Sequence, residues 1–205
     1  LSDANEAWLL PPLLRVLAEQ APRMRLVVLP VQFRTVVDAL SGSEVDLAVT
    51  VADELPAGTR RLELFTGGFV CLYDPRHARV GRRLTLERYL EHEHVIVSYN
   101  GDLRGIVEDL LDVQRRVRVS VPTFQSIGGI VDGSALLATV PAMVAREVTS
   151  LRPHLRTTVL PVALGSAPME VLWRSAVEDD EAIRFIRERV VDVARSLELG
   201  SGAPR

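Results

Sequence analysis

Apolar and polar positions change period many times along the chain, and the resulting segments are short. Leu9, Leu10, Leu13, Leu14 and Leu17 fall at helical spacing up to about Gln20. Ser2-Asp3-Ala-Asn-Glu6 reads as a capping box ahead of them, with Asp3 capping and Glu6 reaching back. Pro11 and Pro12 suit a first turn, so the main helix is expected to start close to them after a looser turn. Met24–Val31, introduced by Ala21-Pro22, reads as a strand, Phe33–Leu40 as a short helix stopped at Ser41-Gly42, and Val45–Val51 as a strand. Pro56-Ala-Gly58 is a turn, and the strands Arg61–Phe65 and Phe69–Tyr73 flank Gly67-Gly68.

Thr85 caps a helix over Leu86–Leu90. Val95–Tyr99 is a strand, and Gly101–Leu111 holds a helix after a Gly-Asp turn. Arg116-Val-Arg-Val-Ser-Val121 alternates with period two, as a half-buried strand does. Thr123–Val131 is helix-like despite Gly128-Gly129, Ala135–Val140 is a buried strand, and Pro141 starts another helix. Thr157–Leu160 and Met169–Arg174 are strands. A long helix from about Asp179 to Leu199 carries the stripe Ile183, Ile186, Val190, Val193 and Leu197. Acidic residues sit at its start and Gly200 stops it; the tail Ser201–Arg205 is expected to be disordered. Strands alternating with helices indicate an α/β protein with largely parallel sheets. No linker divides the sequence, so any second lobe would have to be reached by crossing at strands.

Composition narrows the chemistry. The chain has 205 residues, 47% hydrophobic and 25% charged, which argues against disorder and allows one large domain or two small ones. Its longest apolar runs, such as Ala7–Leu14, fall far short of the ~20 residues of a membrane-spanning helix. No charged segment leads an apolar one at the start, so no signal peptide is expected. All 24 basic residues are arginines. Without lysine there is no Walker A loop, no pyridoxal Schiff base and no lysine nucleophile, and arginine, permanently protonated, substitutes in none of these roles. The abundance of Ala, Arg, Val and Gly fits a GC-rich coding sequence. A net charge of −3 argues against nucleic-acid binding by bulk electrostatics. Cys71, the single cysteine, can form no intramolecular disulfide; it sits in an apolar run and reads as a buried small hydrophobe in a reducing compartment.

Signatures of catalysis are missing: no G-x-S-x-G, G-x-G-x-x-G, HExxH or CxxC occurs. His92 and His94 would share one strand face, but Glu91-His-Glu-His94 reads rather as an exposed helix-to-strand junction than as a metal pair. Glu108, Asp109 and Asp112 read as a solvated helix face. Arg115, Arg116 and Arg118 form a basic run without interleaved aromatics, a weak nucleic-acid signal. Trp8 and Trp173 fit either a core or a pocket lining, with core the leading reading. Pattern and spacing thus stop at a soluble α/β binding or regulatory domain, with no catalytic residue, cofactor or metal expected.

The order of segments carries more. Ser2-Asp3 precedes Leu9-Leu-Pro-Pro-Leu-Leu14, and Ala21-Pro22 precedes a strand. Ala39-Leu40, Gly42 and Val45-Asp46-Leu-Ala48 form an ALxGxxxDLA signature; Pro56-Ala-Gly58, Leu64-Phe65, Val70-Cys-Leu72, Arg76-His77 and Leu84-Thr85-Leu86 follow. Val121-Pro-Thr-Phe124 and Ala138-Thr-Val-Pro141 come later. Over nearly its whole length the chain resembles the effector-binding domain of LysR-type transcriptional regulators, most of all the subgroup that senses aromatic acids and flavonoid-like inducers.

The resemblance implies a periplasmic-binding-protein-like fold (type 2): two α/β lobes joined by two crossover segments, with a ligand cleft between them. Lobe one would hold residues 1–72 and 174–205, lobe two residues 73–173. The family's N-terminal winged helix-turn-helix and most of the first strand have no counterpart in these residues. A small effector in the cleft would favour one lobe arrangement and so reorient the DNA-binding domains. Carried over from the family, the ligand-binding residues are Ser2, Asp3, Leu10 and Pro11 at the first helix, and Phe33 and Arg34 after the second strand. Tyr99, Asn100, Thr123, Phe124, Thr139 and Val140 come from lobe two, and Trp173 from the return crossover. A helix N-terminus suits a carboxylate, and Arg34 could pair with one. Relatives that sense aromatic acids tend to carry His where Thr123 stands, and often Trp-His where Trp173-Arg174 stand. The family also implies a cytoplasmic homodimer formed through this domain, side by side and antiparallel, a homotetramer at full length, no membrane, and DNA contact only through the missing domain. The competing readings are an extracytoplasmic solute-binding protein for a small organic acid and a small hydrolase or lyase; no nucleophile–base set supports the enzyme.

Overall fold

The computed structural model describes residues 1–111 and 113–200. In chain order the elements are α1 (Asp3–Gln20), α2 (Val36–Ser41), β1 (Leu47–Thr50), β2 (Thr59–Gly67), β3 (Phe69–Tyr73), α3 (Leu86–Glu91), β4 (Glu93–Val97) and α4 (Ile106–Leu110). Then come β5 (Arg116–Val121), a 3-10 turn (Phe124–Ser126), α5 (Ile127–Val131), β6 (Leu137–Pro141), α6 (Ala142–Leu151), β7 (Arg156–Val159) and β8 (Ala167–Arg174). A second 3-10 turn (Ser175–Val177) leads to α7 (Glu181–Gly200). Asp112 and the tail Ser201–Arg205 lie outside the described residues.

The chain forms two units, Leu1–Thr66 with the residues from Ala167 onward, and Gly67–Ser166. The sequence placed the crossings at 72/73 and 173/174. The first of these would cut β3, which pairs along its length with β6 and β7 and so belongs wholly to the second unit.

The first unit has a three-stranded sheet in the order β1-β8-β2. β1 runs antiparallel to β8, with Leu47 opposite Trp173 and Thr50 opposite Glu170. Val36, Ala39 and Leu40 of α2 pack with Val31, Ala48, Ala52 and Leu172 as one apolar cluster. α1 is continuous through Pro11 and Pro12, contrary to the expected start beside them. Each proline removes an amide donor from the helix ladder, but Trp8, Leu9, Leu13 and Leu17 are buried along the same face, and that burial holds the helix together. Ser2, not Asp3, takes the N-cap position; its hydroxyl makes no cap bond because it accepts from Asn5 Nδ2 at 2.8 Å. Met24–Val31 forms no strand. Among the described residues its backbone bonds to a neighbouring segment are with Leu1: the Leu1 amino group donates to Leu29 O and Val31 N donates to Leu1 O, each at 2.9 Å. A β-like sequence without a ladder partner remains merely extended, and Val27 is left 86% exposed. α7 lays Val190, Val193 and Ala194 against the unit, and Asp180 Oδ1 accepts from the amides of Ala182 and Ile183 at its start.

The second unit has a five-stranded sheet in the order β5-β4-β6-β3-β7. β4 is parallel to both β5 and β6, whereas β3 is antiparallel to β6 and β7. The expectation of largely parallel sheets therefore fails for β3 and for the β1–β8 pair. Parallel pairing needs a crossover such as the one through α4, and β3 and β8 each enter their sheets beside the divide instead. Cys71, Ala78, Val80, Leu84, Tyr89 and Leu137 form the core on one face.

Candidate functional site

In the first unit the start of α1 is built around Asn5. Its Nδ2 donates to Ser2 Oγ, to Val49 O at 3.1 Å and to Met169 Sδ, and its Oδ1 accepts from Trp8 Nε1 at 2.9 Å. This buried amide ties Ser2 to β1, with Ser2 N also donating to Val49 O. Asp3 and Leu10 are half-buried and Pro11 is exposed. Phe33 and Arg34 are exposed neighbours, the guanidinium 5.2 Å from the ring centre. Trp173 is buried, and the Arg187 guanidinium of α7 lies 4.3 Å from its ring centre, so that face of the indole is occupied within the unit. Trp8 is buried too, edge-on to Phe65, as the core reading had it.

In the second unit Tyr99 and Asn100 are exposed on the turn that follows β4. Asp102 shapes this turn: its Oδ1 accepts from Ser98 Oγ at 2.6 Å and from Arg104 N at 3.0 Å, and the Ser98 bond holds its carboxyl below the ordinary range. Gly101 supplies the left-handed conformation there, at φ 71. Thr123 and Phe124 are half-buried at the 3-10 turn after β5, and Val140 is fully buried in β6. Thr139 is buried, paired in register with Cys71, and its Oγ1 lies 2.6 Å from Tyr89 Oη.

That contact belongs to a buried polar network which the sequence reading missed. Arg115 and Glu108, read there as a basic run and a solvated face, have side chains only 1% and 5% exposed. Arg115 Nε donates to Glu108 Oε1 at 2.7 Å and Nη2 to Oε2 at 2.6 Å, the two-pronged geometry that suits a guanidinium and a carboxylate. Glu108 Oε2 also accepts from Gly105 N at 3.0 Å, and Arg115 Nη1 donates to Tyr89 Oη at 3.2 Å. Burial pushes the Glu108 carboxyl up, but the Arg115 bonds and charge outweigh it and leave it below the usual range. Burial raises the Tyr89 hydroxyl, and it pushes the Cys71 thiol up to about 12.

His94, expected at an exposed junction, is 0% exposed. Its Nε2 lies 2.7 Å from Tyr89 O; a carbonyl only accepts, so Nε2 carries the proton. Nδ1 has no hydrogen-bond partner among the described residues. Asp74, Asp132 and His154 bring one ligand atom each within 4.8 Å of one another. Their oxygens are already taken: Arg76 grips Asp74 through Nε and Nη2 and reaches Asp132 at 2.7 Å, while His154 Nε2 lies 2.8 Å from Asp132. Arg152 stands 3.6 Å from the second Asp132 oxygen, so two guanidiniums neutralise the two carboxylates and the cluster reads as an ion-pair knot. Two open hollows, of about 390 Å³ beside Glu91, His92 and Arg118 and about 360 Å³ beside Leu62, Arg187 and Arg195, include none of the residues anticipated for ligand binding. No helix among the described residues is long and apolar enough to cross a membrane.

Comparison with known proteins places this arrangement. The family model described as "LysR substrate binding domain" matches residues 1–195. The HTH-type transcriptional activator NagR of Ralstonia sp is 29% identical over 196 residues, and NahR of Pseudomonas putida is 30% identical over 201 residues. Each alignment covers 94% of this chain and 65% of the relative, so the chain spans about two thirds of their length. The crystal structure of the regulatory domain of MexT, a transcriptional activator in Pseudomonas aeruginosa, is 32% identical, with a TM-score of 0.79, 94% of this chain and 96% of that chain covered. A putative transcriptional regulator from Vibrio parahaemolyticus, 23% identical, shares the fold at a TM-score of 0.83, with 97% and 93% covered. The fold is the type 2 periplasmic-binding-protein-like α/β fold of LysR regulatory domains, and the chain belongs to the LysR substrate-binding domain family.

Proposed function

We propose that this chain is the effector-sensing part of a LysR-type transcriptional regulator, and that its effector is a small carboxylate. The observation that carries the reading is the family match across residues 1–195, joined to the near-complete overlap with a regulatory domain. In this reading Ser2, Asp3, Leu10, Pro11, Phe33, Arg34 and Trp173 serve the ligand from the first unit. Tyr99, Asn100, Thr123, Phe124, Thr139 and Val140 serve it from the second. Arg34 provides the cationic partner and Thr123 a hydroxyl.

The effector acts by binding one conformation of the domain better than another, and that difference in affinity is all it can transmit. DNA contact is assigned to a segment outside these residues, in line with the net charge of −3. The same reading makes the protein a cytoplasmic homodimer through this domain, without catalytic activity of its own. A solute-binding protein is not favoured, because the relatives matched over 94% of the chain are transcriptional activators.

A thermal-shift screen of benzoates, other small carboxylates, phenols and flavonoids tests the proposal. A ligand specific for the folded state and present at ~100 times its Kd stabilises it by about 2.7 kcal/mol. Loss of that shift in Arg34→Ala and Thr123→Ala supports the assignment. A shift from phenols that equals the shift from carboxylates, and persists in Arg34→Ala, refutes the carboxylate.

A further inference from the structure

We infer that the buried Arg115–Glu108 pair is a positioning device: from one point it sets both the Ser98–Gly105 turn that carries Tyr99 and Asn100, and the hydroxyl of Thr139. The inference rests on the proposed function for the relevance of those three residues to a ligand. The geometry of the device stands apart from it.

A desolvated ion pair is a poor source of stability, since apolar residues of similar volume often hold a core as well. What it supplies is direction. The hydrogen bonds of this pair have defined geometry and run out along two arms. Along the first, Glu108 Oε2 holds the Gly105 amide at 3.0 Å while Arg104 Nη2 donates to Glu108 O at 2.8 Å. The far end of the turn is thus tied at two adjacent residues, and Asp102 ties its near end to Ser98. Gly105 suits the close approach: a Cβ there would stand 3.1 Å from Arg115 Nη2 and 3.3 Å from Val97 O, tighter than most such contacts.

Along the second arm, Arg115 Nη1 reaches Tyr89 Oη at 3.2 Å, and Tyr89 Oη lies 2.6 Å from Thr139 Oγ1. A guanidinium can only donate. The Tyr89 oxygen therefore accepts from Arg115 and shares a second hydrogen bond with Thr139 Oγ1, so the place of the Thr139 hydroxyl is set by Tyr89 and, through it, by Arg115. Tyr89 is itself held by the core around Cys71 and Leu137 and by His94 edge-on at 4.5 Å. The anchors of Tyr99/Asn100 and of Thr139 thus share one guanidinium. Tyr89, Glu108 and Arg115 are positioning residues, since each acts through another.

Amide hydrogen exchange of the domain provides the test, in the wild type and in the double variant Arg115→Met/Glu108→Leu, which removes the pair without stranding a buried charge. Exchange at Ser98–Gly105 should rise about 10-fold or more while the β3 amides stay at wild-type rates. If that turn stays within about twofold of wild type, or if β3 speeds up equally, the positioning role is overturned. Should that double variant fail to fold, Arg115→Leu/Glu108→Met, which also removes both charges and the Gly105 acceptor, takes the same measurement with the same criteria. Tyr89→Phe isolates the second arm. It should leave exchange at Ser98–Gly105 unchanged and move the Thr139 methyl resonance, and an unmoved resonance overturns that arm. Benzoate titrations of the same proteins separate the two readings. Weaker binding by about tenfold in the double variant and Tyr89→Phe supports positioning for a ligand, and unchanged binding overturns it. No binding of any tested carboxylate by the wild type refutes the carboxylate effector, and the exchange data still decide the device.

Discussion

Lowering the pH from 7 toward 4 should destabilise the second unit through His94. Burial drives its imidazole from the ordinary 6.5 down to about 4, the nearby Arg115 charge adds to the drop, and the Tyr89 carbonyl opposes it. The geometry gives the reason: Nε2 already donates to that carbonyl, and a proton on Nδ1 would be a buried N–H with no acceptor among the described residues. Between pH 6.5 and 4 the unfolded chain holds this proton and the folded chain does not. Stability is therefore fully present above pH 6.5 and falls as pH drops toward 4, by about 1.4 kcal/mol per pH unit and about 3 kcal/mol in all. The carboxylates held low, among them Glu108, Asp102 and Asp132, lose their contributions at lower pH, below their ordinary unfolded values. Urea unfolding at half-unit steps from pH 7 to 4.5, followed by circular dichroism, measures the slope. Subtracting the same series for His94→Gln removes every group the two proteins share. Equal slopes in both proteins would refute the reasoning, as would an NMR titration of the His94 Cε1 proton with a midpoint at or above 6.5.

Further outcomes can be checked by denaturation at pH 7. Arg115→Met should cost about 3–5 kcal/mol because it strands a buried carboxylate, and adding Glu108→Leu should recover most of the loss. Failure of the double variant to recover would mean the pair is worth more than its desolvation. Asn5→Ala deprives Trp8 Nε1 of its buried acceptor and Val49 O of one of its two donors, and should cost about 1–3 kcal/mol, with a shift in tryptophan emission as the second readout. In Gly128→Ala the new methyl would meet Val148 Cγ1 at 2.9 Å and Arg152 Nη1 at 3.1 Å, so a melting temperature lowered by the equivalent of about 1–3 kcal/mol is expected.

The elements with a strong local period were legible in the chain. The α7 stripe of Ile183, Ile186, Val190, Val193 and Leu197 and the alternation of Arg116–Val121 depend only on which side is buried. Three features depend on tertiary contacts and were misjudged. Met24–Val31 has strand composition, but a strand exists only where a second backbone completes the ladder. Pro11 and Pro12 break a helix by local rules, yet the buried leucines around them override those rules. Glu108 and Arg115 look like surface charges because nothing in a spacing of seven residues reveals that both turn inward to meet. Strand direction was equally hidden: β3 and β8 join their sheets at the unit divide, which hydrophobic periodicity does not mark. No local pattern identified the candidate ligand residues. They came from the order of many weak motifs over the whole chain, which is why the family could be read while the buried supports Tyr89, Glu108 and Arg115 could not.

The inertness of Cys71 makes the chain a blank background for covalent probes. With its thiol fully buried and pushed up to about 12, only about one molecule in 100,000 carries the thiolate at pH 7. Since no lysine is present either, maleimides and amine-directed dyes find no reactive side chain of their usual kind on the folded surface. A cysteine introduced at the exposed Leu103 would then carry the sole label, beside Asp102 and Arg104, where a spin or fluorescent group could report each movement of that turn.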